Sequence, residues 1–201
     1  MAITDFHGNY FFLSNFFEAP FFYRGYKWNT VEHAFQAMKS IKKEDIEMVH
    51  AAVTPGEAKR LGRKVHLVPD WDIVRNEVMR DCLRMKFLQN DTLFKQLLDT
   101  GNEVLVEGNT WHDNYWGNCT CDKCHAKEGV NMLGQLLMEL RKNIRENNFV
   151  WVARDVKAGL KIVEHFKNRE NALSWMSNQH GYNADSPYEA NGYRLDVVQL
   201  K

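Results

Sequence analysis

The chain has no excess of charge of either sign, and this absence bears on one broad class of function. Its 201 residues include 26 Lys and Arg against 26 Asp and Glu. Proteins that bind duplex nucleic acid through its phosphates normally carry a basic excess or a basic run. We therefore do not expect non-specific nucleic-acid binding. Recognition of a nucleotide, or of one modified base, is compatible with this charge balance.

Cysteine is also scarce, and long apolar runs are missing. Of the four cysteines, Cys82 stands alone, whereas Cys119, Cys121 and Cys124 fall within six residues, which is not the pattern of a disulfide framework. We find neither the apolar stretch of about 18 residues that a membrane span requires nor the pattern of an N-terminal signal peptide. We therefore expect a cytoplasmic protein with reduced thiols and no membrane contact.

What is present is the composition of a globular protein, with 44% apolar and 12% aromatic residues. The pattern of the sequence changes near Asn147-Asn148. We predict a mostly helical α+β domain with short strands over residues 1–147. Residues 148–201 are predicted to form a small α/β appendage of strand–strand–helix–strand order, whose role and protein partner the sequence does not indicate.

Apolar residues recur at three- and four-residue spacing in several segments of the first domain, which is typical of helices. Helices are predicted to begin at Asn29 or Thr30, Thr54, Asp70, Asp91 and Asn131. Aromatic residues between turn residues predict short strands over Asn9–Tyr26, and Glu103–Glu107 is a further predicted strand. The connection from Gly108 to Glu128 is longer than most loops, and such loops are often functional.

The first predicted helix, Asn29–Lys39, carries a candidate reaction centre. Glu32, Gln36 and Lys39 lie at positions i, i+4 and i+7, so they share one stripe of that helix. A solvated ridge or a capping box formed by Asn29 and Glu32 would explain the same pattern. In chemical terms, a carboxylate stabilises an oxocarbenium-like sugar or activates water. A desolvated lysine can attack a ring-opened sugar aldehyde and form a Schiff base.

The long loop holds two further candidate features. Trp111, His112 and Trp116 combine ring surfaces with polar atoms, and His112 is either an acid–base group or a structural residue. Cys119, Cys121, Cys124 and His125 supply the donor types of a tetrahedral zinc site. However, Cys124 and His125 are adjacent and rarely both point at one ion, and no second CxxC follows. We expect reduced thiols there, and we predict neither a metal nor a cofactor.

Several motifs, taken together at consistent spacing, resemble the NADAR family of YbiA-like domains. The resemblance extends from about Tyr10 to Arg145. The segments that carry it are Leu13-Ser14-Asn15-Phe16, Trp28 to Lys39, Thr54 to Arg63, Asn114-Tyr115-Trp116-Gly117 and Gly129 to Arg141.

The resemblance implies an α+β domain that hydrolyses an N-glycosidic bond. The implied substrates are a ribosylamino-pyrimidine phosphate of the riboflavin pathway or an ADP-ribosylated guanine-type adduct, free or in nucleic acid. Glu32 and Lys39 become the catalytic candidates, with Lys39 as the Schiff-base residue. The resemblance assigns substrate binding to Asn15, Trp28, Gln36, Arg63, Trp71, Trp116 and Asn118.

One residue departs from the family pattern. Asn118 follows Trp116-Gly117 where family members often have Asp, and an amide cannot act as a base. Either Glu32, Asp113 or Glu107 takes that role, or activity is reduced. The alternative function is a non-catalytic module that binds NAD or ADP-ribose.

Overall fold

The computed structural model describes residues 2–124, 126–184 and 187–200. The chain divides into two compact units, Met1–Lys142 and Asn143–Lys201. Helices and small sheets are mixed along the chain, which confirms the predicted α+β class. In these described ranges no helix combines the length and apolar character needed to cross a membrane.

The first unit is mainly helical. The helices are α1 (Val31–Ala37), α2 (Lys43–His50), α3 (Pro55–Leu61), α4 (Trp71–Gln89), α5 (Asp91–Asp99) and α6 (Met132–Arg145), which runs past the boundary at Lys142. The strands are β1 (Ala2–Ile3), β2 (Phe21–Tyr23), β3 (Tyr26–Trp28), β4 (Val104–Leu105), β5 (Gly108–Asn109) and β6 (Asn118–Cys119). Among the described residues these short strands pair two by two: β1 with β4 and β5 with β6 in parallel, and β2 with β3 as an antiparallel hairpin.

Local capping explains where α3 begins and ends. The hydroxyl oxygen of Thr54 accepts a 3.1 Å hydrogen bond from the Glu57 backbone N–H, and Glu57 Oε2 accepts a 2.9 Å bond from the Val53 N–H. Pro55 occupies the first turn and Gly62 caps the C-terminus. The predicted start at Thr54 is therefore confirmed, because capping depends only on neighbouring residues.

Helix α1 lies at the centre of the unit. All seven of its residues are buried, and it packs against α2, α3 and α4. At Gly62 a Cβ atom would collide with the side chain of Gln36. The absence of a side chain at Gly62 therefore allows the end of α3 to approach α1 closely.

The prediction of strands throughout Asn9–Tyr26 was wrong in its first half. Gly8–Leu13 forms a 3-10 helix, and only β2 and β3 are strands. Lys86 of α4 is fully buried and donates hydrogen bonds of 2.7 and 2.9 Å to the carbonyl oxygens of Phe12 and Ser14. This stabilisation comes from a residue more than 70 positions away, so local strand propensity did not decide the conformation.

Helix α2 was not predicted. Its N-cap, Lys42, makes no side-chain capping bond, so the residues before it carry no start signal. Tertiary contacts hold its first turn instead. Asp45 Oδ2 accepts hydrogen bonds from the Ser40 hydroxyl at 2.7 Å and from the His66 backbone N–H at 2.8 Å.

The described elements of the second unit are β7 (Phe149–Asp155), β8 (Lys161–Phe166), α7 (Arg169–Ser177), β9 (Glu189–Ala190) and β10 (Tyr193–Gln199). The four strands form an antiparallel sheet in the order β8-β7-β10-β9. Helix α7 packs against β7 and β8, and Trp151 stacks on Tyr188 with ring centroids 6.0 Å apart. Met176, Leu195 and Val197 contribute to the buried apolar side chains of this unit.

Candidate active site

The first unit contains a cavity of about 560 Å³, which is within the size range of small-molecule sites. Its wall is formed by the 3-10 helix and the residues after it, by α1, α3 and α4, and by the loop after β4. Six of the nine predicted site residues line it: Asn15, Glu32, Gln36, Lys39, Trp71 and Trp116.

Glu32 supplies a carboxylate that is only 5% exposed. Burial raises its pKa, while a hydrogen bond from Gln36 and the charges of Lys59 and Lys39 lower it to a smaller extent. The Gln36 amide donates this bond from Nε2 to Glu32 Oε1 over 2.8 Å. A buried carboxyl with a raised pKa can hold and release a proton closer to neutral pH than a surface carboxyl can.

The capping-box interpretation of Glu32 is wrong. Thr30 is the N-cap of α1, and its hydroxyl oxygen accepts a bond from the His33 backbone N–H. Glu32 therefore occupies a position one residue too early to close such a box. Its own backbone N–H donates a 3.0 Å bond to the carbonyl oxygen of Asn15, so α1 also positions the Asn15 segment.

Lys39 lies just beyond α1, because the helix ends at Ala37 and Met38 caps it. The predicted helix was thus two residues too long, yet Lys39 lines the same cavity as Glu32 and Gln36. Burial lowers the pKa of Lys39; the charge of Glu32 raises it, and the charges of Arg63 and Lys59 lower it. A lowered pKa increases the fraction of neutral, nucleophilic amine.

Aromatic side chains form one side of the cavity. The Phe35 ring lies 5.1 Å from that of Trp71 and 5.3 Å from that of Trp116, centroid to centroid. Phe35 comes from α1, Trp71 from the start of α4 and Trp116 from the long loop. Ring faces of this kind bind flat heterocycles by stacking and edge contacts.

Glu107 and Asp113 bring two more carboxylates to the cavity. Burial, followed by the charge of Asp113, raises the pKa of Glu107 to about 7. The Asp113 oxygen Oδ1 accepts bonds from the backbone N–H groups of Tyr115 and Trp116 at 3.1 and 2.9 Å. Asp113 therefore holds the loop that carries Trp116, whereas Glu107 has an oxygen available to a ligand.

Three acceptor atoms at the cavity are unsatisfied. Within the part of the chain that the structure describes, Asn15 Oδ1, Gln36 Oε1 and Glu107 Oε2 are buried and have no hydrogen-bond partner. Buried polar atoms in native proteins nearly always have partners. All three side chains line the cavity. Gln36 Oε1 lies against Gly62, whereas a ligand that presents N–H or O–H donors would satisfy Asn15 Oδ1 and Glu107 Oε2.

The other three predicted binding residues do not line this cavity. Trp28 is the last residue of β3 and is fully buried, and its indole N–H donates a 2.9 Å bond to the Tyr23 carbonyl. Arg63 is exposed beyond the end of α3 and affects the site through its charge on Lys39. Asn118 Oδ1 accepts a 2.7 Å bond from the Gly129 N–H. Its amide therefore stabilises the loop rather than replacing a carboxylate in the cavity.

Sequence reasoning missed several cavity residues because their positions depend on tertiary contacts. Lys59 lies 5.8 Å from the ring centroid of Phe16, and the Arg75 guanidinium lies 3.9 Å from that of Tyr115. Both were missed because each is an ordinary cation on a helix surface when the sequence alone is read. Both side chains line the cavity and bring positive charge to it, in addition to the amine of Lys39.

Comparison with known proteins agrees with these features. The NADAR domain family matches residues 4–145. The chain belongs to the NADAR family. The N-glycosidase Npun_R5314 of Nostoc punctiforme is 44% identical over 124 residues, which is 59% of this chain and 75% of the relative. The N-glycosidase YbiA of Escherichia coli is 40% identical over 145 residues, covering 71% of this chain and 85% of the relative.

Two further matches extend the comparison. The NMR structure of the E. coli protein YbiA superposes with a TM-score of 0.63 at 35% identity, covering 73% of this chain and 84% of that chain. The riboflavin biosynthesis protein VVA0006 of Vibrio vulnificus is 36% identical over 141 residues, covering 69% of this chain but only 37% of the relative.

Proposed function

We propose that this chain is an N-glycosidase that hydrolyses the bond between a ribosyl carbon and the nitrogen of an amino-substituted heterocycle. The observation that carries the proposal is the meeting of Glu32 and Lys39 in one cavity with an aromatic wall. The names of the N-glycosidase relatives support the same reaction class.

The cavity offers matching features for each part of such a substrate. The Phe35, Trp71 and Trp116 rings suit a flat base. The unsatisfied oxygens of Asn15 and Glu107 suit the amino groups that such a base carries. The cationic side chains of Lys59 and Arg75 suit the phosphate of a phosphoribosyl or ADP-ribosyl group.

Glu32 is assigned the proton transfers. In its protonated form it donates a proton to the leaving nitrogen as the bond from C1′ to nitrogen breaks. The carboxylate that results stabilises the positive charge on the ribosyl ring. It then accepts a proton from the water that attacks C1′, and this step regenerates the acid. One water is consumed, and the products are the free amine and the sugar hemiacetal.

Lys39 provides a covalent route for a substrate whose sugar ring opens. Its neutral amine attacks C1′ of the ring-opened imine and displaces the heterocyclic amine, which leaves a lysine imine. Water then adds to that imine, releases the sugar aldehyde and restores the lysine. Reduction with borohydride during turnover distinguishes this route, because it would fix the sugar to Lys39 as a stable secondary amine.

Two substrates fit this description. A ribosylamino-pyrimidine phosphate is supported by the name of the Vibrio relative. An ADP-ribosylated guanine adduct presents the same combination of an aminated ring, a ribosyl carbon and phosphate. The balanced charge of the chain, 26 against 26, favours removal of a single adduct over tracking along nucleic acid.

The test is incubation of the full chain with each substrate, with release of the free base followed by chromatography. Glu32→Gln and Lys39→Met are expected to reduce turnover strongly, by about 100-fold or more for a group that transfers protons. Glu44→Gln and Lys43→Met change exposed residues and are the matched controls. Turnover that survives both cavity substitutions would refute the site. Binding of ADP-ribose without turnover of either substrate would support the alternative, a binding module.

A further inference from the structure

Four metal-ligating side chains meet in the loop beside the cavity. His112 Nδ1 lies 3.2 Å from Cys121 Sγ and 3.3 Å from Cys124 Sγ. With Cys119 Sγ included, all four ligand atoms lie within 4.8 Å of one another. In a tetrahedral zinc site, with Zn–S of about 2.3 Å and Zn–N of about 2.0 Å, ligand atoms are roughly 3.5 Å apart. The cluster therefore has the dimensions of one ion's ligand set.

Backbone pairing brings distant parts of the loop to this point. Strands β5 and β6 pair in parallel, with Asn109 opposite Cys119. The Cys119 N–H donates a 2.8 Å bond to Asn114 Oδ1, and the Cys124 N–H donates a 2.9 Å bond to the Cys121 carbonyl. The bond from Cys119 to Asn114 fixes the position of Cys119. The bond from Cys124 to Cys121 closes a turn that brings Cys124 back towards Cys119.

The backbone at His112 has a conformation that is unusual for a residue other than glycine. Its φ of 68° lies in the left-handed region, which residues other than glycine seldom adopt. Asn109 Oδ1 accepts bonds from the N–H groups of Trp111 and Asp113 on either side, at 3.3 and 3.2 Å. This turn directs the imidazole towards the thiols. Strain of this kind is concentrated at functional sites.

We propose that His112, Cys119, Cys121 and Cys124 bind one structural zinc ion. All four cysteines of the chain are free thiols, and tetrahedral sulfur and imidazole donors suit zinc better than calcium or magnesium. Four protein ligands leave no open coordination position, so the ion does not activate water. On binding, the three thiols lose their protons to solvent and ligate as thiolates.

This assignment differs from the sequence pattern, in which His125 follows Cys124 directly. His125 lies outside the residues that the structure describes. The histidine that the structure brings to the thiols is His112, which lies seven residues before Cys119 along the chain.

The proposed site connects to the cavity through its neighbours. None of the four ligands lines the cavity, but Trp111 and Asp113, on either side of His112, both do. An ion held by His112 would fix that part of the wall. The zinc proposal is nevertheless independent of the proposed glycosidase activity, because its test measures metal and thiols.

The first measurement is the metal content of the full chain, loaded with ZnCl₂, dialysed and analysed by plasma mass spectrometry. One zinc per chain is expected. Loading with Co²⁺ instead should give thiolate-to-cobalt absorption and the strong d–d bands of a tetrahedral site. Zinc well below one per chain after loading, without the cobalt bands, would overturn the proposal.

Variants then test the ligands. Cys121→Ser and Cys124→Ser should each lose most of the bound zinc, whereas Lys123→Ala, an exposed change between them, should keep one ion. His112→Ala should lose zinc and His125→Ala should retain it. The opposite result for this histidine pair would overturn the assignment of His112.

A measurement on the unaltered chain covers the case in which a cysteine variant fails to fold. Alkylation followed by peptide mass spectrometry should show Cys121 and Cys124 protected in the zinc-loaded chain and modified after treatment with a chelator. Equal modification with and without zinc would contradict the proposal. A chain that binds one zinc but turns over neither ribosyl substrate would refute the proposed function alone.

Discussion

The Gln36 amide donates a 2.8 Å hydrogen bond to the Glu32 carboxylate, one turn earlier on α1, and leaves its own Oε1 without a partner in the described part of the chain. Because the carboxylate accepts from Nε2, this bond leaves Oε1 on the side of Gly62 at the end of α3. Gln36 therefore has two roles: it lowers the pKa of Glu32 and it packs α1 against the end of α3.

Replacement of Gln36 by Leu should raise the pKa of Glu32 further, because the bond from Gln36 is the largest influence that lowers it. In a profile of kcat/KM against pH, the limb governed by Glu32 is expected to move to higher pH. Gln135→Leu, an exposed change on α6, is the control. A uniform loss of activity with an unmoved limb would contradict this role.

Gly62→Ala tests the close approach of α3 to α1. The backbone φ of Gly62 is −61°, so alanine is allowed there, and the effect arises from collision of its Cβ with Gln36. Overpacking of this kind costs about 1–3 kcal/mol, and kcat/KM should fall because the Gln36–Glu32 pair is displaced.

Gly56→Ala on the same helix is the matched control for Gly62→Ala. Apart from its chain neighbours and the backbone of its own helix, its Cβ would come no closer than 4.0 Å to another heavy atom, and alanine in a helix is favoured by about 0.5–1 kcal/mol. Urea denaturation should therefore show opposite changes in the free energy of unfolding for the two variants. Equal changes would mean that α1 and α3 are not in tight contact at Gly62.

Burial of Lys86 should make the free energy of unfolding increase with pH. Burial lowers its pKa to about 7, from 10.5 for an ordinary lysine. Between these values the unfolded chain binds more protons than the folded chain, so this contribution to stability rises with pH and is lost as the pH falls through about 7.

The free energy of unfolding of the wild type minus that of Lys86→Met should therefore increase from pH 7 to pH 9. The slope should be at most about 1.4 kcal/mol per pH unit. Lys95→Met changes an exposed lysine on α5 and should show no such slope. At all pH values Lys86→Met should also weaken binding in the cavity, since the carbonyls of Phe12 and Ser14 lose the donor that holds the Asn15 segment.

The sequence indicated which residues lie together where local helical geometry determines their placement. It failed where contacts with distant parts of the chain determine it. Glu32 and Gln36 lie on one face of α1 because the helical period alone sets that relationship, and the family motif then singled out that face. Trp28 belongs to the same motif, but it is a buried residue of β3 outside the cavity, because a motif contains packing residues as well as binding residues. His112 reaches the thiols through a left-handed backbone and a β5–β6 pair that only the folded loop contains.

Glu107 should give the opposite pH dependence to Lys86. Burial raises its pKa to about 7 from 4.5, so between these values the folded chain binds more protons than the unfolded chain. Its contribution is fully present below about pH 4.5 and is lost as the pH rises through about 7. Glu107→Gln removes the titration but keeps the shape of the side chain. The stability of the wild type relative to this variant should therefore fall between pH 5 and pH 7, by at most about 1.4 kcal/mol per pH unit.

Glu103 is not a suitable control because it is also partly buried, whereas Glu128→Gln changes an exposed carboxyl of the long loop. Thermal unfolding of the three chains across this pH range provides the measurement, and parallel curves for wild type and Glu107→Gln would show that Glu107 titrates as an ordinary surface acid.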